Sequence, residues 1–381
     1  MRVAFPLGGT DWGRSGIGTY VRCLLPHLVT QLRDAGGSLV ALGNRRELDA
    51  YRAALEGADT VQVPLVFDRP AASAAWYLLD AGRFAGATGA DVILYPAAQR
   101  RCSLRSPVPT VAVVHDLGQF HVQGKYDPLR VFYFKRLMIP LLRGASRHVA
   151  ISQATRDDMV QHMGLRGDAI DVVYNGVDCT RFVPMDEKSE PVATARRQSG
   201  LEGPYLLYPA RLEHPAKNHM RLLAAFAQSA ARRTHTLALA GGDWGAGPML
   251  ESEITRLGLT ESVRVLGFLP DEIFPGLVAG ADGVIMVGLT EGFGLPALEA
   301  LSAGRAVCAA RAGALPEVVG DLAAMCDPLE PSSIATALDR LVGDDALRAQ
   351  AASEGPGWAA ERGWDRTAAG LLRVCQSAVT P

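Results

Sequence analysis

Short apolar runs alternate with amphipathic stretches along nearly the whole chain. Strands are predicted at Arg2–Pro6, Ser38–Leu42, Asp91–Tyr95, Thr110–Val114 and Arg147–Ile151, and again at Tyr205–Pro209, Thr236–Ala240, Ser262–Leu266, Gly283–Val287 and Ala306–Ala309. They are apolar on both faces, the pattern of strands buried from both sides. Segments between them, such as Ile17–Arg33, Pro128–Arg143, Asn218–Arg232 and Pro296–Ala303, carry apolar residues at helical spacing. Strand and helix in alternation predict an α/β protein with parallel sheets covered by helices.

The rhythm falters once, over Asp178–Gly203, which is polar and charged and contains Pro184 and Pro191. This stretch reads as a linker. The expected organisation is two doubly wound, Rossmann-like domains, over 1–185 and 200–357, facing an inter-domain cleft. A break at Gly355-Pro356-Gly357 precedes a last amphipathic helix, Trp364–Ser377, which periodicity assigns to neither domain. In open parallel sheets ligands bind beyond the carboxyl ends of the strands, so polar residues just after strands are the candidates for chemistry.

Composition narrows the class. A chain of 381 residues suits two domains, and 48% hydrophobic with 20% charged residues is the balance of a soluble globular protein. Lys plus Arg (38) nearly balance Asp plus Glu (40), which argues against a nucleic-acid partner. No run of eighteen apolar residues is present to span a membrane. The start, Met1-Arg-Val-Ala-Phe-Pro, lacks the apolar region of a signal peptide, and a cytoplasmic location is expected. The six cysteines form no C-x-x-C pair, and none stands near a histidine at ligand spacing. Buried thiols in a reducing compartment, and no metal site, are therefore expected.

Four loops after predicted strands hold the candidates. Gly8-Gly9-Thr10-Asp11-Trp12-Gly13-Arg14-Ser15-Gly16-Ile17-Gly18-Thr19-Tyr20 opens a helix, so Gly16 and Gly18 could let a phosphate or another chain approach the backbone. As a dinucleotide fingerprint it is weak, because Leu42-Gly43-Asn44 stands where an acidic residue would follow the second strand. His115-Asp116 follows Thr110–Val114, where a histidine can donate to a substrate oxygen or move a proton near neutral pH. Arg211 and Lys217 straddle the loop after Tyr205–Pro209, with Asn218 placed to cap the next helix. A guanidinium, an ammonium and a helix start suit a diphosphate. Finally, Thr290-Glu291-Gly292-Phe293-Gly294-Leu295-Pro296-Ala297-Leu298-Glu299 presents free amides at a helix start between two carboxylates. Carboxylates accept from vicinal hydroxyls, so the pattern suits a sugar at one glutamate and a ribose at the other.

Taken together, these elements resemble the retaining GT-B glycosyltransferases of family 4, and within them the bacterial mannosyltransferase-like branch. The carriers are Glu291 and Glu299 around the GFGLP core, Arg211 with Lys217-Asn218, and His115-Asp116-Leu117. Asn175-Gly176-Val177-Asp178, Gly16-Ile17-Gly18-Thr19-Tyr20 and Ala312-Gly313-Ala314-Leu315-Pro316-Glu317-Val318-Val319 match as well. The resemblance implies that Arg211 and Lys217 bind the donor diphosphate and that Glu299 holds the ribose. It gives Glu291, with Gly292, Phe293, Gly294 and Leu295, the transferred sugar, and His115 a contact to that sugar. It also implies that the last helix, about 358–381, packs back onto the first domain. The chain departs from the family at Val287-Gly288, where a serine is usual.

The implied reaction moves a hexosyl group, by resemblance mannose from GDP-mannose, to a hydroxyl of a glycan or lipid-linked glycan, with retention and with neither cofactor nor metal. Rival readings are a nucleotide-sugar epimerase of the same architecture, an NAD-dependent oxidoreductase and a non-catalytic carbohydrate-binding protein. A peripheral membrane contact is a further expectation. Between Lys125 and His148, the cations Arg130, Lys135, Arg136, Arg143 and Arg147 interleave with Phe132, Tyr133, Phe134, Leu137, Met138 and Ile139. The plainer account of that stretch is a core helix with solvated cations.

Overall fold

A computed structural model describes residues 1–64, 69–122 and 128–380, without the side chains of residues 70, 71 and 128–130. The chain forms two compact units. The first draws its described residues from 1–117, 126–176 and 364–381, and the second from 118–125 and 177–363.

The first unit is built on a seven-stranded, wholly parallel sheet. Its strands are β1 (Arg2–Pro6), β2 (Ser38–Gly43), β3 (Asp59–Gln62), β4 (Val92–Tyr95), β5 (Thr110–Val114), β6 (Arg147–Ala150) and β7 (Ile170–Val172). Their order is β3-β2-β1-β4-β5-β6-β7, so the direction of winding reverses between β1 and β4. The second unit holds a six-stranded parallel sheet of β8 (Tyr205–Tyr208), β9 (Thr236–Ala240), β10 (Val263–Gly267), β11 (Gly283–Met286), β12 (Val307–Ala310) and β13 (Ala323–Cys326). Its order is β10-β9-β8-β11-β12-β13, with the reversal between β8 and β11. The central strands β4, β8, β11 and β12 are buried along their whole length, as two helical layers require. This is the two-Rossmann-domain architecture of the GT-B fold.

Three strands lie outside the predicted set. β3 is a mostly exposed, polar edge strand, β7 spans three residues at the other edge, and β13 reads Ala-Ala-Met-Cys, which carries little strand signal. The expected linker is corrected as well. Within Asp178–Gly203 a helix, Glu190–Ser199, buries Val192 and Ala195 against the helix Phe274–Ala279 and belongs to the second unit.

Nor does the chain break at Gly355-Pro356-Gly357. The helix Asp345–Ala360 runs through it, with Gly355 so close to the helix Leu295–Ser302 that a Cβ there would lie 2.6 Å from the Leu301 carbonyl oxygen. The break comes after it, and the helix Trp364–Val379 packs on the helix Gly16–Asp34 of the first unit. Trp364, Ala368, Leu371 and Cys375 form its buried face, and Gln31 Nε2 donates to the Asp365 carbonyl at 2.8 Å.

The stretch Pro128–Arg143, predicted as one helix, contains a π turn over Phe134–Met138 between helices Pro128–Tyr133 and Ile139–Arg143. Pro140 has no N–H to give Arg136, and its ring crowds that carbonyl, so the widened turn with Ile139 N–H on the Phe134 carbonyl absorbs the misfit.

Candidate active site

In the second sheet, winding reverses between β8 and β11, so the loops that follow these neighbouring strands depart toward opposite faces and leave room for a ligand. Both carry predicted site residues. The loop after β8 is tied down by backbone bonds from Leu212 N–H to the Gly242 carbonyl (2.9 Å) and from Trp244 N–H to the Leu212 carbonyl (3.0 Å). Leu289 N–H, from the loop after β11, donates to the Ala216 carbonyl at 2.9 Å. Asn218 stands at the N-terminus of the helix His219–Gln228 with φ 57°, yet its side chain does not cap it. Its Nδ2 donates instead to the carbonyls of Val287 (2.9 Å) and Pro328 (2.7 Å), stapling three loops together. The expected cap is thus replaced by a staple, because a left-handed residue directs its side chain away from the first turn's amides.

These bonds bring Lys217 to Glu291. Lys217 Nζ donates to Glu291 Oε1 at 2.6 Å, with both side chains mostly buried. Glu291 Oε2 has no protein partner among the described residues. Two glycines make room here. A Cβ on Gly288 would lie 2.9 Å from Glu291 Oε1, and one on Gly313 would lie 2.2 Å from the Glu291 carbonyl oxygen. Gly313 has φ 55°, and Ala314 N–H closes on the same carbonyl at 2.9 Å. Gly292 follows Glu291, Phe293 is buried, and Gly294 at φ 92° starts the helix Leu295–Ser302 with Pro296 in its first turn. Glu299 is half-buried in that helix.

Arg211 does not join the pair. Its Nε donates to Glu213 Oε2 at 2.9 Å, and its guanidinium carbon lies 4.3 Å from the centroid of the Trp244 ring. Neither Glu213 nor Trp244 is among the residues predicted from sequence.

Beneath the loop lie two more such residues. Tyr208, fully buried, donates its hydroxyl to the Lys217 carbonyl, and its ring centroid stands 5.0 Å from that of His219. His219 is only 3% exposed; burial, aided by the Lys217 charge, pulls it down to about 4, so it is neutral. His219 and His148 are both buried, and neither is among the residues predicted from sequence. A signal for His219 existed: with Leu222, Leu223 and Phe226 it completes a helical apolar stripe.

In the first unit, His115 directly follows β5 at only 5% exposure, with its ring edge-on to Tyr20 at 4.6 Å between centroids. Its Nε2 donates to the Pro96 carbonyl at 2.6 Å, since a carbonyl only accepts, which leaves Nδ1 as an acceptor. Burial pushes the imidazole down to about 4 against the upward pull of that bond and of Asp116. The expectation of a proton exchanged near neutral pH is therefore corrected: the ring is neutral and its one N–H is committed.

The two helix-start glycines differ. No atom stands within 4 Å of where a Cβ on Gly16 would lie, whereas one on Gly18 would lie 2.5 Å from the Gly13 Cα. Gly18 N–H also donates to Ser15 Oγ at 3.3 Å, so Gly18 serves the chain's own packing. The loop is clamped from β4 and β2: Arg100 Nη1 donates to the Gly9 carbonyl at 3.0 Å and pairs with Asp11, while Arg46 lies 3.8 Å over the Trp12 ring. Arg100 and Arg46 are also absent from the predicted set.

In the basic segment, Lys125 and the side chain of Arg130 lie outside the described residues. Phe134, Met138, Ile139 and Leu142 face the core, Arg143 donates to the Met163 carbonyl, and Arg147 Nε donates to Ser377 Oγ at 3.2 Å. Phe132 and Tyr133 are exposed beside Lys135 and Arg136. No helix of the described residues is long and apolar enough to cross a membrane.

Comparison with known proteins agrees with the fold. Residues 14–181 match the family model "Glycosyltransferase Family 4", and residues 192–358 match "Glycosyl transferases group 1". A D-inositol 3-phosphate glycosyltransferase of Salinispora arenicola is 34% identical over 62% of this chain and 55% of its own length. The O-antigen chain mannosyltransferase B of Escherichia coli is 28% identical over 67% of each chain. The chain thus spans between about half and two thirds of these relatives' lengths. Among solved structures, Anabaena Alr3699/HepE in complex with UDP and glucose superposes with a TM-score of 0.74 at 24% identity, covering 99% of this chain and all of that one. The lipopolysaccharide glycosyltransferase WaaG gives 0.71 at 16% identity, covering 98% and 99%.

Proposed function

We propose that this chain, which belongs to the glycosyltransferases of group 1 and family 4, moves a hexosyl group from a nucleotide-diphosphate sugar to a hydroxyl of a glycan or lipid-linked glycan, with retention at the anomeric carbon. The observation that carries the reading is the meeting of Lys217 and Glu291 where the second sheet reverses, beside the glycine-rich start of the helix Leu295–Ser302. A cation for phosphate, a carboxylate for sugar hydroxyls and helix-start amides stand together there.

In this reading the anomeric C–O bond to the diphosphate breaks, and a bond to the acceptor oxygen forms on the same face. The acceptor's proton passes to the leaving phosphate oxygen. Negative charge grows on the diphosphate as it leaves, and Arg211, Lys217 and the amides from Gly292 to Leu295 stabilise it, doing the work that a divalent metal does elsewhere. Glu291 accepts from sugar hydroxyls through Oε2 while Oε1 stays on Lys217, and Glu299 takes the ribose. By resemblance His115 also belongs to the sugar, as a hydroxyl's acceptor through Nδ1 rather than as a donor.

Mannose from GDP-mannose is the donor assigned, a choice supported by the mannosyltransferase relative; the likeness to a structure holding UDP and glucose makes UDP-glucose its competitor. The enzyme works in the cytoplasm, and the exposed pair Phe132 and Tyr133 beside Lys135 and Arg136 supports a peripheral contact with anionic membrane. Incubation with GDP-mannose or UDP-glucose and a panel of hydroxyl acceptors, with the product's anomeric configuration read by NMR, tests the assignment. An α-configured product from an α-linked donor is expected. Interconversion of the free sugar nucleotide without any acceptor would instead indicate an epimerase.

A further inference from the structure

The Arg211 guanidinium is held on two sides and open on the third. Its Nε is taken by Glu213, its face lies on Trp244, and neither terminal amino group has a protein acceptor among the described residues. Trp244 is itself set by backbone. The bonds between Leu212, Gly242 and Trp244 bridge its loop to the arginine's loop, and Asp243 Oδ1 accepts the amides of Gly245 (2.8 Å), Ala246 (3.0 Å) and Gly247 (3.0 Å), closing the turn. The two loops run so close that a Cβ on Gly241 would lie 2.3 Å from the Ala210 carbonyl oxygen. The indole nonetheless remains 56% exposed, outside the core that residues of its size normally enter.

We infer that Trp244 is a positioning residue for Arg211, holding the guanidinium by its face so that both terminal amino groups are presented to a diphosphate. The inference rests on the proposed role of Arg211 and deepens it. A second carboxylate in place of the indole would orient the arginine equally well but cancel the charge that a diphosphate needs; an aromatic face orients it and leaves the charge intact. Without Trp244 the guanidinium is free to turn and close both its edges on Glu213, the bidentate arrangement that carboxylates favour. That fork would withdraw the edge a diphosphate uses.

Titration calorimetry with UDP, GDP, ADP and dTDP, and with the matching nucleosides, tests this on the full chain. Trp244→Ala is expected to weaken the bound nucleoside diphosphate about fivefold, the scale of an exposed cation–aromatic contact, and to leave nucleoside affinity unchanged. Trp244→Phe should recover most of the loss, and in an Arg211→Ala background Trp244→Ala should add nothing. Unchanged melting temperatures show that the variants fold. An equal loss in both backgrounds, or an equal loss for the nucleoside, overturns the inference and makes Trp244 a base-stacking platform or a structural residue. If the unmodified chain binds none of the four diphosphates, the assignment of Arg211 fails and the role of Trp244 fails with it. Binding by that chain with Trp244→Ala indifferent sinks only the positioning role.

Discussion

Lys217 Nζ lies 2.6 Å from Glu291 Oε1 although 74 positions separate the two residues in sequence. The contact exists because β8 and β11 are neighbours and each residue belongs to the loop that leaves one of them. Charge balance inside the pair keeps both ions tolerable while mostly buried, and removal of either partner leaves the other uncompensated.

Lys217→Ala and Arg211→Ala are each expected to lower kcat by at least about a hundredfold, because each deletes a cation whose attraction grows as the diphosphate departs. Steady-state transfer assays measure this. Near-normal turnover in both variants would remove the diphosphate from this loop.

Glu291→Gln should chiefly damage transfer, and Glu299→Gln should chiefly weaken binding of the free nucleoside diphosphate. Calorimetry paired with the transfer assay separates the two effects. Equal affinity losses in both variants would show that the sugar and ribose assignments are merged or exchanged.

Gly313→Ala is expected to lower the melting temperature and to reduce transfer together. The left-handed backbone costs a side chain roughly 1–2 kcal/mol, and the new methyl would press on the Glu291 carbonyl 2.2 Å away. Differential scanning calorimetry with activity on the same sample checks it. Wild-type behaviour in both measurements would mean that Glu291 is not held from Gly313.

Stability should rise as pH increases from about 4 to about 6.5, beyond the ordinary contribution of carboxylates. His115 and His219 are each held down to about 4 in the folded chain, chiefly by burial, while the unfolded chain takes up their protons near pH 6.5. Between those values protonation favours the unfolded state; above 6.5 both states are neutral and the penalty is gone. His219→Gln should flatten the rise in a plot of melting temperature against pH. An unchanged slope would mean that His219 charges readily where it sits.

Vesicle co-sedimentation tests the membrane contact. Binding to anionic but not neutral vesicles, lost on replacing Phe132 and Tyr133 by serine, is the expected result. Failure to bind either kind would remove the membrane contact and leave the type of acceptor open.

The hydrophobic pattern was enough for the two-sheet α/β class, because buried parallel strands such as Val92–Tyr95 and Gly283–Met286 are continuous apolar runs. Edge strands carry no such signal: β3 is polar because it is mostly exposed, and β7 is three residues long. The helix Glu190–Ser199 was hidden because its buried face amounts to little more than Val192 and Ala195. Candidate residues could be found as polar positions after strands, but not their partners. That Arg211 turns to Glu213 and Trp244 while Lys217 turns to Glu291 depends on strand order and loop path, which local spacing does not encode. The neutrality of His115 was out of reach for the same reason, since it follows from the Pro96 carbonyl and from depth of burial.

The helix Trp364–Val379 lies on the helix Gly16–Asp34, so the chain completes the first unit only after passing through the second. During synthesis, the second unit's sequence leaves the ribosome before Trp364 and Asp365, which meet Tyr20 and Gln31 of the first unit. The unit that begins first is therefore the one whose sequence is completed last. Until its last turns are made, the nascent first unit keeps an uncovered apolar flank, and premature termination anywhere after residue 363 would spare the second unit while leaving the first unfinished.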